Sequence, residues 1–392
     1  MKAAPIYLDW NATTPPHPSV LAVMAAAAAD AWANPASVHS AGRRALSLVD
    51  GVREKLAAIC RVHSRDVIFT SGGTEANNLA LSAAPGLIAS HIEHPSVTRV
   101  VERLARLGKP VAWVPVPSSG RLEPAAFEDA LGRMPRGAVV ALMAANHETG
   151  ALQPLEQVAE IVHAHGATLH VDAVQALGKV PAEMLRVADS LTLAAHKIRG
   201  PKGVGALAFR GRAPHPVLVG GSQQRGLRPG TVDAVAIAGF GAALDWACDS
   251  VPRYAALAAL RNEFERRLAS VANATSRDVL RLPHVSSLVF EGRSGDELVA
   301  ALDLLGVCVS SGSACSAGTT EPSPSVAAML GVDAARASVR VSLGEDTTAE
   351  ELDRAVEAIF AVLRRSRTSA QVKGDSPSQP LARQLDDGHP SG

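Results

Sequence analysis

Aromatic side chains are scarce in this 392-residue sequence, where Trp, Tyr and Phe together make up 3%. A core built on stacked rings is excluded. With apolar residues at 47%, the interior has to be assembled from small aliphatic side chains, abundant alanine among them. Neither sign of charge is in excess: Lys plus Arg and Asp plus Glu number 38 each. That balance argues against a strongly basic surface, a local patch excepted, so no direct nucleic-acid partner is expected. Cysteine is nearly absent, with only Cys60, Cys248, Cys308 and Cys315. Four thiols in so long a chain are not a disulfide framework, and Cys308 and Cys315 lack the close spacing of a zinc knuckle. This usage points to a reducing compartment, the cytoplasm. The apolar stretch SVLAVMAAAAADAWA (19–33) is too short to span a bilayer and carries Asp30. It has no basic lead-in, so it does not read as a signal peptide. The expectation is a buried helix and no membrane partner.

The length exceeds what one compact core usually holds, which implies two domains. From about residue 19 to 250, helical stretches alternate with short β-rich runs. DVIFTSGGTEANNLAL (66–81) reads as strand, glycine turn, helix, and AVVALMAANHETGAL (138–152) as a buried strand ending in polar residues. ATLHVDAVQALG (167–178) and SLTLAAHKIRGPKGVGALAF (190–209) repeat that form. Strand, polar loop and helix in series imply an α/β domain with a mainly parallel sheet, whose ligands sit at the carboxyl ends of the strands. Beyond residue 253 the pattern becomes α+β, with strands in HVSSLVFEG and ASVRVSLG. A closing helix in TTAEELDRAVEAIFAVLRRSR has Thr347 or Thr348 as its cap and Glu350 or Glu351 in its first turn. The expected division is a large domain over 16–253, a small one from 1–15 and 254–367, and a disordered polar tail over 368–392.

Several residues fall where chemistry is done. Lys197, in AAHKIRGPKG, follows an apolar strand and precedes a Gly-Pro turn. Desolvated beside other cations, its amine becomes a nucleophile toward an aldehyde, though from spacing alone a loop lysine or a phosphate anchor is the readier reading. Asp172 ends a strand twenty-five residues earlier. Alone it reads as a helix cap. Paired with Lys197 in this order, it reads as the carboxylate that keeps a pyridoxal nitrogen protonated, with Gln175 placed to donate to the phenolic oxygen. In SGGTEANN (71–78) a glycine turn opens a helix, where backbone N–H groups and the Thr74 hydroxyl can hold a phosphate. His94 either stacks on an aromatic ring or simply packs. His163 and His165 read as a helix face rather than metal ligands.

Taken in order, YLDWNATTP, NPASVH, FTSGGTEANNLA, EHPSV, NHETG, HVDAVQALGK, HKIRGPKGVGAL, RGLRPGT and SSGSACSAG resemble the cysteine desulfurases. These belong to the class V aminotransferases, pyridoxal-phosphate enzymes of the aspartate-aminotransferase fold (fold type I), and the nitrogen-fixation or iron–sulfur type is the nearest group. The resemblance implies that Lys197 carries the cofactor, Asp172 meets its pyridine nitrogen, Gln175 its phenolate and His94 its ring. It places Gly73, Thr74 and His196 around the phosphate, and gives Thr231 a reach into a neighbouring subunit's site, hence a homodimer. Arg340 clamps the carboxylate of L-cysteine as a bidentate fork, helped by Asn34 and Asn146. Cys315, on a loop of small residues, is the implied nucleophile. It takes sulfur as a persulfide, releases alanine and hands the sulfur to an acceptor or iron–sulfur scaffold protein. Cys315 is also the one candidate for a transient metal contact during handover to a cluster.

Two departures stand out. Ala194 replaces a serine that usually donates to the phosphate, which predicts weaker cofactor retention. The glycine loop reads GGSQQRG, with Ser222 and Gln224 where the family often has other residues. The tail lacks the ordered extension of housekeeping members. The acceptor stays open among a cluster scaffold, a tRNA-thiolation enzyme and a cofactor-biosynthesis protein. Competing readings are a selenocysteine lyase or other group-transfer enzyme of the same fold, and a non-catalytic scaffold.

Overall fold

The computed structural model describes residues 4–312 and 322–374. Cys315 therefore lies outside the described residues. The chain opens with β1 (Ile6–Tyr7), α1 (Pro18–Asp30) and α2 (Ser40–Cys60). It continues through β2 (Val67–Thr70), α3 (Gly73–Leu81), β3 (Leu87–Ser90), α4 (Pro95–Arg106), β4 (Val111–Val114) and α5 (Pro124–Leu131). Then come β5 (Val139–Met143), α6 (Leu155–Ala164), β6 (Thr168–Asp172), β7 (Ser190–Ala194), β8 (Gly205–Phe209) and α7 (Ala234–Cys248). The seven strands β2 to β8 form one sheet in the order β2-β8-β7-β6-β5-β3-β4. Only β8 runs antiparallel to its neighbours. Runs such as VIFT, LIAS and GALAF are buried at every position, as strands covered on both faces require. The register sets Met143 beside Asp172 and Asp172 beside Thr192, so the carboxyl ends of β5, β6 and β7 lie level.

The rest of the chain gives α8 (Val251–Leu268), β9 (Asn273–Ala274), β10 (Val285–Val289), α9 (Gly295–Leu304) and β11 (Val307–Cys308). It ends with α10 (Pro324–Leu330), α11 (Val332–Arg336), β12 (Ser338–Ser342) and α12 (Ala349–Gly374). A three-stranded antiparallel sheet has the order β12-β10-β9, and β1 pairs in parallel with β11. Ile6 and Leu8 from the start of the chain pack with Tyr254, Phe264, Val339 and Ile359 in a core separate from that of the large sheet.

Three local features settle or revise what the sequence suggests. Thr348 is the cap of α12: its hydroxyl accepts from Glu351 N–H, and the Glu351 carboxylate accepts from Thr348 N–H, a reciprocal box. The helix runs on to Gly374, past the boundary at 367 beyond which disorder is expected; residues 368–373 contain neither proline nor glycine to stop it. The run 19–33 does form a helix, but only Val20 and Ala27 of α1 are buried, and Leu21 and Trp32 are 53% and 72% exposed. Its composition reads as interior, whereas one face alone packs in the single chain. Among the described residues, no single helix is long and apolar enough to cross a membrane.

The GGSQQRG departure has a structural role. The Gln224 side-chain oxygen accepts from Phe69 N–H at 3.1 Å and from Arg53 at 3.3 Å. It thereby covers part of the open edge of β2, which ends the sheet. Elsewhere glycine permits a close approach. A Cβ on Gly205 would lie 2.6 Å from Leu193 O and 2.8 Å from Gly72 Cα. Gly205→Ala is expected to lower unfolding stability by about 1–3 kcal/mol through overpacking, read as a lower thermal midpoint; an unchanged midpoint would show that the Gly72 turn yields freely.

Candidate active site

Lys197 stands just past β7, in the single 3-10 turn Ala195–Lys197. Gly200 closes the turn by donating to Ala195 O at 2.9 Å, and a Cβ there would lie 2.7 Å from that same oxygen. The N-terminal run WNATTP grips the turn from the other side. Lys197 Nζ donates to Ala12 O at 2.7 Å and to Asn11 O. Thr14 Oγ1 donates to His196 O at 2.9 Å, and His196 Nδ1 meets Thr13 Oγ1 at 3.2 Å. Carbonyls thus hold the lysine amine at the mouth of a cleft lined by Asn11, Gly73, Thr74, Asn77, His94 and Ser96 on one side. Asp172, Gln175, Ala194, His196, His147 and Arg340 complete it.

Asp172 reaches the cleft from the end of β6. Its Oδ2 accepts from Asn77 Nδ2 at 2.8 Å and its Oδ1 from Val174 N–H at 3.0 Å. Asn77 also donates to Ser96 Oγ at 2.8 Å, and its Oδ1 pairs with His170 Nε2 at 3.0 Å. Ser190 Oγ lies 2.8 Å from His170 Nδ1. The carboxylate is therefore anchored by a network of Asn77, Ser96, His170 and Ser190, of which only Ser190 is partly exposed. Asn77 was not singled out in the sequence; the only signal was its place in the α3 motif, one turn after Thr74. His94 caps α4, its Nδ1 accepting from Ser96 N–H at 3.1 Å, while its ring meets that of His147 edge-on at 5.5 Å.

Arg340 enters from β12. Its Nη2 donates to Asp9 Oδ1 at 2.6 Å and its Nη1 to His147 O at 3.2 Å, while its buried Nε has no partner among the described residues. A guanidinium 3% exposed that lines the cleft brings it a fixed positive charge, which favours an anion there.

Burial governs the charge states here. It lowers His94 to about 4, with His147 adding to the effect. It takes His170 to about 3, and His196 to about 3 with help from Lys197. Burial raises Glu93 well above the usual range, although its Oε1 accepts from Met143 N–H at 3.0 Å. Burial also works to raise Glu148, but bonds from His147 and Ser323 and the Arg340 charge outweigh it, and the net shift is downward.

The family model for class-V aminotransferases matches residues 6–355. A cysteine desulfurase of Cereibacter sphaeroides is 40% identical over 377 residues, covering 92% of this chain and 96% of that protein. The cysteine desulfurase IscS of Dictyoglomus turgidum is 34% identical, covering 94% and 97%. The chain belongs to the class-V aminotransferases, among their cysteine desulfurases. Two solved structures agree. A NifS-like protein is 31% identical with a TM-score of 0.84 over 92% of this chain and 99% of its own. SspA in complex with cysteine is 29% identical with a TM-score of 0.74, over 87% and 99%.

Such desulfurases depend on pyridoxal phosphate, as this chain does, and the cleft fits that group. It offers an amine, an anchored carboxylate, a polar amide and an imidazole together. It also has the start of α3, where Gly72 supplies no side-chain cap and so leaves first-turn N–H groups for a phosphate. Gly73, Thr74, His94, Asp172, Gln175, His196, Lys197 and Arg340 all line the cleft. Asn146 does not. Its Oδ1 accepts from Glu148 N–H and Thr149 N–H, and its Nδ2 donates to Ile92 O and Ser325 Oγ, so the amide is spent closing its own turn. The next residue, His147, faces the cleft instead. Asn34 and Thr231 line a separate depression with Arg53 and Gln224. His163 pairs with Asp189 at 2.9 Å and His165 with Ile161 O at 2.8 Å. Cys315 lies outside the described residues.

Two outcomes follow from this desulfurase cleft. His94, His170 and His196 are neutral in the fold, yet each takes a proton near pH 6.5 once unfolded. The unfolded chain then binds more protons, so their contribution is full above about pH 6.5 and is lost as pH falls toward about 4, by up to about 1.4 kcal/mol per unit each. Urea midpoints at about pH 7.5 and about pH 5 should show the loss; equal midpoints would mean these rings accept protons in the fold. Separately, Ala194 lines the cleft with a methyl group, and Ala194→Ser is expected to tighten pyridoxal-phosphate retention on the order of tenfold in dialysis. Equal retention would show that the lost donor is replaced.

Proposed function

We propose that the chain takes sulfur from L-cysteine, releases L-alanine and carries the sulfur as a persulfide on Cys315 to an acceptor protein, for iron–sulfur cluster assembly. The observation that carries this reading is the convergence of Lys197, Asp172 and Arg340 on one cleft. An amine, a carboxylate and an anion clamp are what an amino-acid substrate and its aldehyde cofactor need together.

Arg340 holds the substrate carboxylate, and its tie to Asp9 sets the plane of the guanidinium. Thr74, the α3 N-terminus and His196 take the cofactor phosphate. Asp172 would keep the ring nitrogen protonated, His94 would lie against the ring and Gln175 would donate to the phenolic oxygen. Bound there, pyridoxal phosphate supplies the electron sink that makes the substrate C–S bond breakable. Lys197 would take the substrate Cα proton. His94, held neutral by burial, adds no charge to the cleft, and the substrate's thiol proton would stay on the outer sulfur of the persulfide. The Cys315 thiolate forms an S–S bond as the C–S bond breaks, and the electron pair stays with the carbon fragment, which is protonated and leaves as alanine.

A homodimer belongs to the same proposal. Its support is the apolar surface on and after α1, with Leu21, Trp32 and Val38 exposed, and the placing of Asn34 and Thr231 away from this chain's own cleft. We place the protein in the cytoplasm, where a thiol that must stay free is kept reduced.

The test is release of alanine and sulfide from L-cysteine with a reductant. Equal amounts of both are expected, abolished in Cys315→Ala and in Lys197→Ala. Cys315→Ala should keep its yellow cofactor, while Lys197→Ala loses the covalent link. Undiminished turnover in Cys315→Ala would sink the persulfide route. Turnover of L-selenocysteine with none of L-cysteine would favour a lyase.

A further inference from the structure

Lys179 ends the run HVDAVQALGK, and neither the cleft lining nor the proposed chemistry uses it. It is 3% exposed, an unusual place for a lysine. Its Nζ donates to Gln175 Oε1 at 2.9 Å. Burial pushes its pKa well below the ordinary lysine value, and the nearby charges of Lys197 and Arg340 push the same way. The other titratable groups within its reach are the buried His284 and His196, both lowered first by burial and then by nearby charges that include Lys179. An amine without its charge still donates hydrogen bonds.

A glutamine amide has one accepting end and one donating end. Lys179 occupies the Gln175 oxygen, so the NH2 group faces the other way. It donates to Asn11 O at 3.0 Å, the same carbonyl that receives Lys197 Nζ. The two lysines thus bracket Gln175. Were the amide to rotate by half a turn, its oxygen would face the lysine side of the cleft and its NH2 would oppose the Lys179 donor.

We propose that Lys179 is a positioning residue. By donating to Gln175 Oε1, it fixes the amide with its NH2 toward the Lys197 side of the cleft, where it is presented to the phenolic oxygen of pyridoxal phosphate. The inference rests on the role given to Gln175 above. The donor favours the ionised phenolic oxygen, so its loss makes the bound cofactor harder to deprotonate.

The experiment is a pH titration of the visible absorption of holoenzyme, together with the cofactor dissociation constant, for the unaltered protein, Lys179→Met, Gln175→Leu and the double variant. Each single change is expected to raise the spectral midpoint by about half a unit to one unit and to weaken cofactor binding. The double variant should go no further than either single. Lys179→Gln, which retains an NH2 donor, should return the midpoint toward that of the unaltered protein, and it serves where the Met variant does not fold. A midpoint unmoved in Lys179→Met but raised in Gln175→Leu overturns the proposal and leaves the Gln175 role standing. Additive shifts overturn it by showing that Lys179 acts elsewhere. No shift in Gln175→Leu overturns both.

Discussion

The cleft depends on Asn11. This residue is 1% exposed, and both its backbone and its side chain are fully engaged. Its N–H donates to Ser342 Oγ at 2.9 Å and its Nδ2 to His147 O at 3.0 Å, while its Oδ1 lies 2.8 Å from His284 Nε2. Its carbonyl receives both Lys197 and Gln175. Ser342 and His284 come from the smaller core's sheet and its approach; His147, Gln175 and Lys197 come from the loops of the large sheet. One buried asparagine therefore ties the two parts together at the point where the amine must be held. Buried polar groups carry a high cost when unpaired, so the arrangement has little freedom to drift.

Charge in the cleft follows from the same enclosure. Burial, and then the charges of Lys197 and Arg340, disfavour a charge on Lys179, and three histidines nearby are kept neutral by burial. The partial positive end of α3 adds to this field. An electropositive pocket with neutral imidazoles suits a dianionic phosphate and an amino-acid carboxylate. The anchored Asp172 is the counterweight, and its fixed position matters because a carboxylate free to swing would pair with a lysine instead.

Much of this was legible in one dimension. Lys197, Asp172 and Thr74 follow short apolar runs, and parallel strands bring their carboxyl ends level, so a strand-by-strand reading gathers them without any contact information. The reciprocal cap at Thr348 and Glu351 was also readable, because both partners lie within one turn. What the order of residues could not resolve was direction within a turn. Asn146 and His147 are adjacent, and both are polar. The Asn146 amide closes its own turn with Glu148 and Thr149 N–H groups, which sends the neighbouring ring into the cleft.

The sequence by itself determined the alternation of strand and helix, the family and the residues at the strand ends, since periodicity and local motifs carry that information over a few residues. Tertiary structure alone decided that Lys179 is interior, that Asn77 anchors Asp172 from 95 residues away, and that α1 shows an apolar face outward despite a composition suited to a core. Each of these depends on what lies opposite a side chain across a long stretch of chain. Burial and hydrogen-bond partners are properties of the packed whole, and no window along the sequence contains both members of such a pair.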